Sequence, residues 1–217
     1  MQCLKSYMKV QILIDNPSSW IIPFAEKLIQ VIKTDLGINV KLLINHADVE
    51  SGEILIMLSC EKIFKKLELN KYNLVVHESK LPHGKGWSPL TWQVLEGKSE
   101  IPVTLFQAVE TVDAGDIYDT KYFQLNGSEL INELREMQVK ATKELILNFL
   151  KKYPNVKFTT QIGKESFYRK RSPKDSALDI NKTILEQFNN LRVCDNERYP
   201  AYFIKDGIKY IIRIEKA

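Results

Sequence analysis

Apolar residues in this chain fall into short continuous runs separated by stripes at helical spacing, the pattern of a sheet buried beneath helices. Residues 8–15 (MKVQILID) are nearly all apolar, as expected of a strand covered on both faces. Asn16, Pro17, Ser18 and Ser19 punctuate that run, and Ser19 can cap the helix that follows. Across residues 20–36, Phe24, Leu28, Val31 and Ile32 recur at helical spacing, and Gly37 is a natural stop. Further strands are expected over 40–44, 54–58 and 73–79, with a short helix over 62–69. A loop rich in Gly and Pro spans 81–89, and a helix follows over 89–96. Two more strands, 103–109 and 117–125, flank the tight segment Asp113-Ala114-Gly115-Asp116.

The longest helix is expected from a cap at Ser128 to about residue 152, with Leu130, Leu134, Met137, Ala141, Leu145 and Phe149 along one stripe. Pro154 ends it. Strands alternating with helices in this order imply an α/β fold with a mostly parallel sheet flanked by helices. Residues 155–217 differ in character. They carry the charged run Tyr168-Arg169-Lys170-Arg171 and a helix over 182–192. They close on a hairpin turning at Lys205-Asp206-Gly207. The expected division is therefore a catalytic domain over 1–154 and a small α+β segment over 155–217.

Composition narrows the class. A chain of 217 residues can bury a core without disulfides or metals. Its net charge of +4 suits an anionic ligand. Lys and Arg are interleaved with Asp and Glu, which leaves no nucleic-acid footprint. Cys3, Cys60 and Cys194 are far apart and form no CxxC, which argues against a disulfide framework or structural zinc. The apolar run after the basic start is too short for a signal-peptide core, and nothing approaches a membrane span. A cytoplasmic, reducing setting is expected.

His77 stands near the C-terminal end of a sheet strand, where ligands of open α/β sheets bind. Alternation puts Asn73, Val75, His77 and Ser79 on one strand face, and Leu74, Val76 and Glu78 on the other. A histidine among valines also reads as a satisfied core group. The following loop, Leu81-Pro82-His83-Gly84-Lys85-Gly86-Trp87, has two glycines that let backbone approach a ligand closely.

The stretch HESKLPHGKGWSPLTWQVLEG from His77, followed 36 residues after that histidine by Asp113 in VDAGDIY, resembles the folate-dependent formyltransferases. The match is strongest over residues 54–125. It implies a Rossmann-like formyltransferase fold, with 10-formyltetrahydrofolate as the formyl donor. The C-terminal wording, YRKRSPKDS, FNNLRV and YPAYF, is similar to sugar-nucleotide N-formyltransferases, and the GKGWSPLTW wording with the short chain to those of the pseudaminic-acid-pathway type. That implies a UDP-linked 4-amino-4,6-dideoxy-N-acetyl-altrosamine-like acceptor and pairing as a homodimer. The alternatives are another amine, such as methionyl-tRNA, or a degenerate folate- or nucleotide-binding module.

The resemblance assigns His77 and Asp113 as the catalytic pair. It assigns Lys62, Ile63, Phe64, Trp87 and the loop Val109, Glu110, Thr111, Val112 to the folate. Ser79, Lys85, Arg169, Arg171, Arg192, Tyr199 and Tyr202 are the candidate partners of the sugar nucleotide, the cations because paired phosphates favour fixed cationic donors. No metal is implied. The family pattern has an oxyanion-binding asparagine two residues before the histidine, where this chain has Val75. Losing one such donor commonly costs about 3 kcal/mol of barrier. Asn73 stands roughly 6–7 Å further back on the strand, too far to replace it directly.

Overall fold

The computed structural model describes residues 8–217, so Cys3 lies outside the described residues. The chain alternates β1 (Val10–Leu13), α1 (Ile22–Leu36), β2 (Val40–Leu43), β3 (Gly52–Met57) and β4 (Asn70–His77). A two-residue strand, β5 (Lys85–Gly86), and helix α2 (Pro89–Leu95) lead to β6 (Glu100–Gln107), β7 (Ile117–Gln124) and α3 (Ile131–Lys152). Beyond these come β8 (Phe167–Tyr168), α4 (Phe188–Arg192) and the hairpin β9 (Ala201–Lys205) and β10 (Ile208–Ile212).

Six strands form one sheet in the order β2-β1-β3-β4-β6-β7. β2, β1, β3 and β4 are parallel, and β6 alone is reversed, because it pairs antiparallel with both β4 and β7. Val10, Ile12, Ile54, Ile56, Leu74 and Leu105 face α1 and α3 on the same side of the sheet. There they meet Leu28 and Ile32 of α1 and Leu145 and Phe149 of α3. Each such side chain contributes about 1.5–3 kcal/mol by leaving water. α1 ends at Gly37, whose φ of 67° lets its N–H reach the Lys33 carbonyl.

The opposite face is covered by loops instead of a long helix. Phe64 packs there with Leu13, Leu43, Leu55 and Met57. The helix expected over 62–69 shrinks to a 3-10 turn at Leu67–Leu69. Asp15, at the end of β1, accepts the backbone N–H groups of Glu61 and Lys62, which holds this stretch open. Two expected caps also differ. Ser19 makes no side-chain cap, and α1 begins after Ile21 with Pro23 in its first turn. The Ser128 hydroxyl is taken by Asn126, so α3 begins three residues later, where the Glu133 carboxylate accepts the Leu130 N–H. The helix expected over 182–192 splits into a 3-10 turn and α4, because the Gln187 side chain turns back to the carbonyls of Asp179, Lys182 and Thr183.

The last third of the chain is tied to the sheet at several points. β8 pairs with β5, and Thr159 bridges to Ile117 at the start of β7. Val193, just after α4, packs with Leu90 and Val94 of α2. Leu178, Leu191, Cys194 and Ala201 form a small core beneath the hairpin. Among the described residues, no helix is long and apolar enough to cross a membrane.

Candidate active site

β4 ends at His77, and the chain then enters the glycine loop at the carboxyl end of the parallel strands, where open α/β sheets bind ligands. His77 is buried, and its Nε2 lies 2.8 Å from the Gly84 carbonyl oxygen. A carbonyl can only accept, so Nε2 carries a hydrogen. The Asp113 Oδ2 is 4.0 Å from the same nitrogen.

Three backbone features hold that pair together. Asp113 itself has φ 54°, a conformation uncommon outside glycine and most tolerated by Asn and Asp. Its Oδ2 accepts the Gly86 N–H at 2.8 Å. Gly86 has φ 97°, and a Cβ there would sit 2.4 Å from the Tyr168 carbonyl oxygen, so only glycine fits. Gly115 is tighter still, since a Cβ would fall 1.7 Å from the Gln107 carbonyl oxygen. Gln161 then closes the turn from the C-terminal segment by donating to the carbonyls of Asp113 and Gly115 at 2.9 and 2.8 Å.

His77 and Asp113 line one cavity of about 540 Å³. One wall is mostly apolar, formed by Met57, Phe64, Val75, Phe106, Ala108 and Val109. The other carries Arg171, Ser176, Arg198 and Tyr199. Exposed Ile63, Val109, Val112 and the partly exposed Trp87 form apolar edges at its mouth, as expected of a ligand-binding surface. Lys170 sits 4.5 Å over the Trp87 ring. The Nε of Arg171 is buried without a partner, while its Nη2 donates to the Asp175 carbonyl at 3.2 Å.

The sequence-derived candidates divide on this geometry. Lys62, Ile63, Phe64, Trp87, Val109, Val112, Arg171 and Tyr199 border the cavity with His77 and Asp113. The Lys62 amide is already engaged by Asp15, which leaves the amides of Ile63 and Phe64 as the candidates in that loop. Several other candidates lie elsewhere. Lys85 is fully buried against Glu165 at 2.5 Å, because β5 turns its side chain away beneath Phe167. Arg192 is buried against Glu129 at 3.2 Å. Arg169 is exposed, paired with Asp175 and laid over Trp92. Tyr202 lies on the hairpin under Lys209, 3.9 Å from that ammonium. Ser79 is buried behind the strand end, its hydroxyl unpartnered. Glu110 and Thr111 point to solvent at the outer side of their loop. None of these seven borders the cavity.

Sequence reasoning passed over four residues that build the site. Glu78 enters the same cavity and accepts a hydrogen bond from Gln138 of α3 at 2.7 Å. Burial pushes the Glu78 carboxyl above its ordinary range. Gln138 falls four residues after Leu134 on the buried stripe of α3, and a polar residue on an apolar stripe was the available signal. Arg135, at the far end of the cavity, pairs with Asp195 at 2.8 Å and lies over Trp20. Gln161 carries no sequence signal at all. Cys60 also borders the cavity, but burial and the nearby Asp15 push its thiol to about 12, so it is no nucleophile at neutral pH. Among the described residues, no cluster of His, Cys, Asp or Glu is arranged to hold a metal ion.

No protein-family profile matches the chain. A methionyl-tRNA formyltransferase from Streptococcus pneumoniae is 28% identical over 134 residues, covering 59% of this chain and 42% of that protein. The chain thus spans less than half the length of the curated relatives it matches. Among solved structures, a methionyl-tRNA formyltransferase from Clostridium thermocellum superposes with a TM-score of 0.80 at 20% identity, over 97% of this chain and 93% of that one. A sugar N-formyltransferase from Shewanella superposes with a TM-score of 0.72 at 19% identity, over 97% and 98% of the two chains. These structural likenesses establish the fold and do not choose between acceptors. The chain thus shares the fold of formyltransferases and a 134-residue sequence similarity to the methionyl-tRNA formyltransferases.

Proposed function

We propose that this protein transfers the formyl group of 10-formyltetrahydrofolate to the amine of a nucleotide-linked amino sugar. The observation that carries the reading is the meeting of His77 and Asp113, 36 residues apart in sequence, at 4.0 Å on the wall of one large cavity. The apolar wall from Met57 to Val109, with free backbone groups at Ile63 and Phe64, suits a flat heteroaromatic ring. When bound there, the folate supplies an activated formyl carbon.

The chain's own groups then have definite tasks. Nε2–H of His77 is a hydrogen-bond donor at the cavity wall, able to turn from the Gly84 carbonyl toward negative charge developing on the formyl oxygen. Asp113 stands 4.0 Å from the ring, placed to support the charge that passes through it as a proton moves to the departing nitrogen. Val75 contributes no polar group, and Asn73 spends its amide donors on the carbonyls of Leu67 and Asn70, so His77 carries the oxyanion role.

The acceptor is inferred from the opposite wall. Arg171 presents a buried, unpartnered Nε, Arg198 adds charge, and Tyr199 offers an aromatic face, a set suited to a diphosphate and a base. A UDP-linked 4-amino-4,6-dideoxy sugar is the proposed acceptor. Cytoplasmic action is part of the proposal, supported by the unpaired Cys60 and Cys194. So is a homodimer, supported by Ile204, Ile208 and Ile211 exposed on the hairpin.

The test is incubation with 10-formyltetrahydrofolate and a panel of UDP- and dTDP-linked amino sugars, with methionyl-tRNA alongside. The expected product is an amino sugar heavier by one CO. Formylation of methionyl-tRNA but of no sugar would replace the acceptor. Formylation of nothing would reject the reading.

A further inference from the structure

Glu78 follows the catalytic histidine directly, and β4 stops between them, so the two side chains leave opposite faces of the strand yet border the same cavity. The Glu78 carboxyl is enclosed by groups that fix it. Its Oε1 accepts from Gln138 Nε2 at 2.7 Å, and its backbone carbonyl accepts from Gln93 of α2. Gln138 is itself buried, so the carboxyl is held from α3 in one orientation.

No cation answers it. Among the described residues, no Lys, Arg or His lies within ion-pair distance of Glu78. The titratable groups that bear on it are His77 of its own strand and Asp113 of the β6–β7 loop, the latter already engaged with Gly86. From α3 the nearest cation on the cavity wall, Arg135, is spent on Asp195. Glu78 is only partly exposed to the cavity, and a carboxylate held there without a counter-charge is costly. Folded proteins keep such groups chiefly where function needs them.

We propose that Glu78 is the receiving site for the acceptor's amine: its carboxylate binds the incoming ammonium and takes one proton from it. The step balances as follows. An N–H bond of the ammonium breaks and an O–H bond forms on Glu78, which frees the nitrogen lone pair. That pair forms the bond to the formyl carbon, and the bond from that carbon to the carrier nitrogen breaks. His77 delivers the second amine proton to the carrier nitrogen, and Glu78 returns its own proton to solvent after product leaves. The two groups thereby divide the proton work across one cavity, Glu78 on the acceptor and His77 on the donor. Burial raises the Glu78 carboxyl above its ordinary range, which makes it a stronger base for this task. It also favours cations, because a hydroxyl at the same carbon can offer only one uncharged hydrogen bond there, weaker than that of an ammonium.

The inference rests on the proposed formyl transfer, and one experiment separates the two. Parent and Glu78→Gln are compared for formylation of the UDP- and dTDP-amino sugar panel between pH 6 and 9. Binding of tetrahydrofolate to both is followed by fluorescence quenching. The variant is expected to lose about a hundredfold in kcat/KM at neutral pH. It should recover much of that loss as pH rises and solvent supplies neutral amine, with folate affinity within about threefold. An active parent with an unchanged variant rate and pH profile overturns the role of Glu78 alone. A parent that formylates no amine overturns the transferase reading and this inference together. Should Glu78→Gln fail to fold, Gln138→Leu gives the second reading. Loosening the carboxylate should lower kcat and displace the acidic limb of the pH profile, and an unmoved limb would overturn the proposal.

Discussion

Replacing Asp113 by asparagine isolates its charge from every other contribution the residue makes. The position has φ 54°, which asparagine adopts nearly as readily as aspartate, so the variant adds little backbone strain. Alanine would confound charge with strain. The asparagine carbonyl can still accept the Gly86 N–H, and Gln161 binds the backbone carbonyl, which is unchanged. What disappears is one negative charge 4.0 Å from His77 Nε2. Two unit charges at that separation interact by about 4 kcal/mol at the effective dielectric of a partly buried site. If the imidazole is cationic only as the carrier nitrogen departs, the whole amount falls on the barrier, roughly a thousandfold in rate. Solvent reaching the cavity screens part of it, so the expected loss is between about a hundredfold and a thousandfold. Single-turnover formylation of the best amino sugar measures it, with folate affinity and the melting temperature as controls. A rate within about threefold of the parent, with the fold intact, would show that the Asp113 charge does not act on His77.

Two further outcomes follow from the same geometry. Gly115→Ala places a methyl group 1.7 Å from the Gln107 carbonyl oxygen, and displacing that loop should cost about 3 kcal/mol. Thermal unfolding should show a drop of roughly 10 °C together with loss of turnover, and an unshifted melting point would mean the turn is more pliable than drawn. Glu78 links stability to pH. Burial raises its folded-state value above the ordinary 4.5, so the folded protein holds a proton that the unfolded chain has released. Stability therefore falls as pH rises through that window, and the loss is complete above the folded-state value. Glu78→Gln removes this slope, so its stability relative to the parent should rise between pH 4 and pH 7 in urea titrations. An equal difference at both pH values would refute it.

Much of the frame is legible because sheet and helix periods leave plain marks. The continuous apolar run before Asp15, the Leu28–Ile32 stripe and the Gly37 stop each identify one element whose partners are interchangeable apolar surfaces. The His77–Asp113 pair was legible only through its resemblance, since nothing local to either residue says that they meet. Where reading failed, a polar side chain had chosen one partner among several. Asp15 took the amides of residues 61 and 62 and dissolved an expected helix, and Asn126 took the hydroxyl expected to cap α3. Lys85 and Arg192 looked like phosphate ligands because paired phosphates favour fixed cationic donors. Their true partners, Glu165 and Glu129, stand 80 and 63 residues away in sequence, and no local pattern announces such a pairing.

The C-terminal segment is part of the site it seemed only to follow. Gly86 must be glycine because the Tyr168 carbonyl occupies the space of a side chain, and that contact exists only because β8 lies beside β5. The same ladder fixes the Gly86 N–H that holds Asp113, and the Gly84 carbonyl that receives the imidazole lies two residues before it in the same loop. Gln161 clamps the Asp113 turn from the other side. The proposed catalytic pair is therefore positioned by residues 161 and 166–168 as much as by the sheet. Arg171 and Tyr199 of the same segment complete the wall that faces it. A transferase built as proposed can change its acceptor by altering that wall only within limits, because the segment that carries the wall also holds His77 and Asp113 in place.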